Sequence, residues 1–111
     1  MHNIESIKNE ILGKDYDLSF SFIGPKQIQK LNKIYRNIDK PTDILSFPLN
    51  ENEGEIYICK TEAKKESKKF DREYENFLTF LLIHGMVHLK GFDHGSTMES
   101  IESKFRKKFG I

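Results

Sequence analysis

The chain has 111 residues, a net charge of +1 from 18 Lys and Arg against 17 Asp and Glu, and a single cysteine. These numbers exclude an internal disulfide and leave no case for a nucleic-acid partner from net charge alone. No apolar run approaches the ~18 residues of a membrane span, and the polar start MHNIESIKNE lacks the apolar core of a signal peptide. The expectation is one small domain over residues 1–111 in the reducing cytoplasm.

Ile4, Ile7 and Ile11 recur at helical spacing, and Gly13 stops that short helix. Leu18, Phe20 and Phe22 alternate with Ser19 and Ser21, the pattern of a strand. Gly24-Pro25 breaks it, and Pro25 suits the first turn of a helix marked by Ile28, Leu31, Tyr35 and Ile38. Asp39-Lys40-Pro41 turns the chain into ILSFPL, a strand with Leu45, Phe47 and Leu49 on one side and Pro48 favouring a sheet edge. ENEG is a turn, and EIYIC is a third strand with Ile56 and Ile58 on one face.

The Lys/Glu-rich stretch after Thr61 reads as an exposed helix. Asp71 is a candidate cap for a long helix through ENFLTFLLIHGMVHLK, apolar nearly all round and so the buried central element, ended by Gly91. A last helix starts at Ser96, whose pairing with Glu99 forms a capping box, and buries Met98, Ile101, Phe105 and Phe109. The class is α+β, with three or four strands around a central buried helix carrying a three-His metal site.

HGMVHLKGFDH, from His84 to His94, holds three of the four histidines. His84 and His88 are one helical turn apart, so their side chains leave the same face about 5–6 Å from one another. Gly91 lets the backbone reverse and return His94 to the same ion. Three protein ligands leave a position for water, the layout of a catalytic zinc. Cys59 is alone and distant, and reads as a small buried side chain. The spacing matches the extended zinc-protease pattern, except that Gly85 stands where the protease has its general-base Glu. Glycine moves no proton, so the residue argues against peptide hydrolysis and instead leaves room beside the metal or for another helix.

Four blocks resemble one family. LNKIYRNIDKPTDILSFP, GEIYIC, Ala63 after that strand, and HGMVHLKGFDH together resemble the signatures of YbeY, the bacterial endoribonucleases of ribosomal RNA maturation, over residues 31–94. The resemblance implies an α+β fold, one zinc ion on His84, His88 and His94, and single-strand-specific RNA cleavage. It further implies roles in small-subunit ribosomal RNA 3′-end maturation and ribosome quality control, with the ribosome or its small-subunit proteins as partners. Arg36 takes the place of the family's functional arginine, where a phosphate-holding fork is expected. Asp93 is a candidate for orienting a ligand or transferring a proton, against a loop-capping role. Thr42, Asp43 and Ser46 are candidates to line the substrate cleft, against merely satisfying backbone groups. Glu55 replaces the family's usual Asp, Phe92 its usual Tyr, and the chain is shorter than typical members, which bears on peripheral RNA or partner contacts. The alternatives are another three-His hydrolase, such as a peptidase or esterase, and a non-catalytic ribosome-associated RNA-binding module stapled by the metal.

Overall fold

A computed structural model describes residues 3–91 and 95–111. Along them run α1 (Ile4–Ile11), β1 (Asp17–Phe22), α2 (Pro25–Arg36), β2 (Ile44–Asn50), β3 (Glu53–Ile58), α3 (Lys60–Lys69), α4 (Tyr74–Leu89) and α5 (Ser96–Lys108). The fold is α+β, and the sheet has three strands in the order β1-β3-β2. β1 runs parallel to β3, and β2 pairs antiparallel with β3. That leaves β2 on an edge, where Pro48 costs no ladder bond it was obliged to make. The pairing register slips between Pro48 and Asn50.

The sheet is covered on both faces, which explains why β2 carries apolar residues at adjacent positions. Ile44, Ile56 and Ile58 belong to the main core with α4, while Leu45, Phe47 and Tyr57 pack with Ile28 and Leu31 of α2. The side of β2 that bears Leu45 and Phe47 therefore meets α2, and Leu49, farther along it, is exposed. α4 is the axle of the domain, touching β2, β3, α1, α3 and α5. Phe77, Leu81, Leu82, Ile83, Met86 and Val87 are all buried along it, each contributing about 1.5–3 kcal/mol of transfer free energy. Cys59 is fully buried, at the junction of β3 and α3.

Two expected helix caps are replaced by other arrangements. Asp71 does not start α4; the residue before that helix is Glu73. Instead Asp71 adopts φ +52° just after α3, with its N–H donating to Lys68 O and the Arg72 N–H donating to Ser67 O. This is the crossed pair of bonds that closes a helix C-terminus, normally around glycine. Ser96 likewise makes no cap: it is the first residue of α5, Gly95 precedes it, and Glu99 pairs with Arg106 at 2.7 Å. α2 ends at Arg36, with Asn37 in the left-handed conformation, so Ile38 lies beyond the helix and is exposed.

Candidate metal centre

α4 brings His84 and His88 one turn apart on a side bordered by β2 and α5. Each imidazole is gripped at Nδ1 by a different neighbour. His84 Nδ1 lies 2.9 Å from Glu102 Oε1 of α5, and His88 Nδ1 lies 2.9 Å from Ser46 Oγ of β2. A carboxylate only accepts, so the Glu102 contact places the proton on Nδ1 of His84 and makes Nε2 the nitrogen with a lone pair to offer a metal. The Ser46 hydroxyl can accept from His88 Nδ1 in the same way or donate to it, and in either case it holds the ring in place. A backing carboxylate or hydroxyl on the remote nitrogen is the ordinary support of a metal-bound histidine. The donor chemistry of this pair therefore fits a divalent ion such as zinc.

Glu102 itself is buried, at 4% exposure. Its charge faces Arg106, whose guanidinium stands 3.9 Å away and also binds Glu99, and His84 Nδ1 donates to it. The sequence carries a signal for the burial of Glu102. It falls between Met98 and Phe105 on the apolar stripe of α5, where a lone carboxylate needs a buried partner.

Gly85, between the two histidines, packs directly against the sheet. A Cβ there would stand 3.0 Å from Ile44 Cδ1 and 3.1 Å from Ile56 Cδ1. The glycine makes room for β2 and β3, rather than for another helix. This close approach is what brings Ser46 within reach of His88.

The remaining candidates divide. Asp43, just before β2, lines a cavity of about 310 Å³ with His84, Glu102, Phe70, Phe80 and Met98. Burial pushes the Asp43 carboxyl above its usual value, and Glu66 adds to the rise, against the backbone N–H groups of Asp43 and Ile44 and the Thr42 hydroxyl. Thr42 Oγ1 donates to Asp43 Oδ1 at 3.4 Å. Arg36 is exposed at the end of α2, and neither it nor Thr42 lines this cavity. The structure thus joins Asp43 with His84 on one cavity and Ser46 with His88 by a hydrogen bond. His94 and Asp93 lie outside the described residues. Among the described residues alone, no three metal-binding side chains gather on one point.

A family model described as Endoribonuclease YbeY matches residues 2–109. The chain belongs to the YbeY endoribonuclease family. Among its curated relatives, the Endoribonuclease YbeY of Staphylococcus carnosus (strain TM300) is 36% identical over 113 residues, spanning 91% of this chain and 74% of its own. The Endoribonuclease YbeY of Aliarcobacter butzleri (strain RM4018) is 43% identical over 98 residues, spanning 83% and 69%. The solution structure of a Thermotoga maritima protein matches with a TM-score of 0.68 and 30% identity, covering 97% of this chain and 80% of that one. YbeY membership accords with the resemblance of the four sequence blocks. Among the described residues no helix is long and apolar enough to cross a membrane.

Proposed function

We propose that this YbeY-family endoribonuclease cuts single-stranded ribosomal RNA in the cytoplasm, using one zinc ion held by His84, His88 and His94. Its place is small-subunit ribosomal RNA 3′-end maturation and ribosome quality control, with ribosomal RNA and small-subunit proteins as partners. The observation that carries the reading is the pair of Nδ1 contacts, His84 to Glu102 and His88 to Ser46, on one turn of a buried helix. Two imidazoles oriented this way from different elements are expensive to build for packing alone.

Zinc in such a site supplies Lewis-acid polarisation of the phosphoryl group and a water acidic enough to ionise near neutral pH. The protein's own residues do the rest. Glu102 holds the His84 ring in one tautomer, and Glu102 and Ser46 hold the two rings in orientation. Arg36 grips the phosphate with a two-pronged guanidinium, a geometry that lysine reproduces poorly. Asp43, on the wall of the cavity, and Thr42 beside it bind the RNA near the cut. Asp93, adjacent in sequence to His94, moves the proton that the leaving oxygen requires.

The test is metal analysis of the purified protein together with end-group mapping of a single-stranded ribosomal RNA fragment, with casein as a parallel substrate. The reading predicts zinc, discrete RNA cuts and intact casein. Casein cleavage would identify a peptidase. RNA binding without cutting would identify a binding module in which the metal is a staple.

A further inference from the structure

The cavity beside His84 has an aromatic wall that metal chemistry does not require. Phe70 leaves 53% of its surface exposed, yet it lines the same cavity as His84 and Glu102. Its ring is backed by two others: Phe77 at 5.4 Å and Phe80 at 5.5 Å between centroids, with Phe77 and Phe80 themselves stacked at 5.4 Å. Phe80 is held in turn by the guanidinium groups of Arg72 and Arg106, 4.6 and 5.2 Å from its centroid. A rigidly backed ring that remains half open is a stacking platform, because every nucleobase has a π-face to lay on it.

The polar part of the lining decides what enters. Asp43, Glu99 and Glu102 put carboxyl groups on the walls, which repel a phosphate and accept hydrogen bonds from a base edge. We propose that this cavity is a nucleobase subsite, in which a base flanking the scissile phosphate stacks on Phe70 beside His84. The proposal rests on the endoribonuclease reading and gives it a physical basis for single-strand preference. A base paired in a duplex presents no free face, whereas one in a loop or single strand can be splayed onto the ring.

The experiment measures kcat/KM for Phe70→Ala, Phe70→Leu and Phe70→Tyr on a short single-stranded RNA. The same RNA is then tested with an abasic residue at each position flanking the cut. Phe70→Leu keeps apolar cover over Phe77 and Phe80 but removes the π-face, so it separates stacking from packing. Losing one stacked base is expected to lower kcat/KM about 5- to 100-fold in the Ala and Leu variants, with the Tyr variant near wild type. In wild type, one abasic position should cause a similar loss, and that position should cost nothing further in Phe70→Leu. The stack is overturned if Phe70→Leu cleaves like wild type, or if the abasic and Leu losses simply multiply. A second readout is quenching of 2-aminopurine, placed at each flanking position of a 2′-O-methyl RNA, on binding. If wild type cuts no RNA, the endoribonuclease reading fails. Quenching that is present with wild type and lost with Phe70→Leu would still show the base subsite, and quenching equal in both would refute it.

Discussion

Glu102 of α5 reaches across to His84 of α4 and holds its Nδ1 at 2.9 Å, although the two residues are 18 positions apart in sequence. The carboxylate is buried, so the contact is shielded from the solvent that weakens surface pairs. It ties the C-terminal helix directly to the proposed metal ligand.

Glu102→Gln should therefore weaken zinc binding while leaving the fold in place. Outer partners of metal-bound histidines are worth about 10- to 100-fold in affinity or activity. A chelator competition titration measures it. Wild-type affinity in Glu102→Gln would show that the carboxylate serves packing only. Ser46→Ala should weaken binding less, since it removes a neutral partner from His88.

Gly85→Glu should not create a protease, although it restores that motif locally. The new Cβ would meet Ile44 and Ile56 at 3.0 and 3.1 Å, and a carboxylate would follow it into the gap between α4 and the sheet. Overpacking alone costs about 1–3 kcal/mol, and the charge adds to it. Thermal unfolding should show a clear fall in Tm, with loss of nuclease activity and no cleavage of casein. An unchanged Tm would mean that the sheet yields at this point.

Asp43→Asn should stabilise the metal-free protein at neutral pH and impair its activity when loaded. The folded state holds the Asp43 proton to higher pH than the unfolded state, because the carboxyl is buried and faces Glu66. The folded chain then binds more protons between the unfolded and folded pKa values, so stability falls as pH rises through that window. Asparagine removes the penalty. The gap in Tm between variant and wild type should be open at pH 7 and close below the ordinary carboxyl value of 3.8. A gap of the opposite sign at pH 7 would contradict the burial argument.

Arg36→Ala should keep metal and fold, because the residue is exposed at the end of α2. Cleavage should fall about a hundredfold if the guanidinium meets the phosphate in the transition state. Arg36→Lys should recover little of it. Salt should weaken RNA binding less steeply for Arg36→Ala than for wild type, by one phosphate contact. Wild-type rates together with a wild-type salt slope would make Arg36 a surface residue.

The elements were legible because periodicity and breakers agreed. Ile4, Ile7 and Ile11 do mark α1, Pro25 does open α2, and the apolar stretch from Phe77 to Leu89 is the buried axle. What failed was local chemistry with more than one use. Asp71 and the Ser96–Glu99 pair carry the residue types of N-caps, yet the chain uses Asp71 to close α3 and Glu99 to bind Arg106. The two histidines of α4 were legible from spacing, but which residue would hold each of them was not. Ser46 and Glu102 meet them only because the sheet and α5 pack against the same helix, and no local pattern in the sequence encodes that pairing.

The central claim is that His84, His88 and His94 together hold the ion. Elemental analysis of zinc per chain, after identical loading and desalting, tests it on wild type, His84→Ala, His88→Ala and His94→Ala, with His2→Ala as the control outside the motif. The account predicts one zinc in wild type and in the His2 variant, and a large loss in each of the other three. Full zinc retention in His94→Ala, or equal loss in His2→Ala, would contradict it.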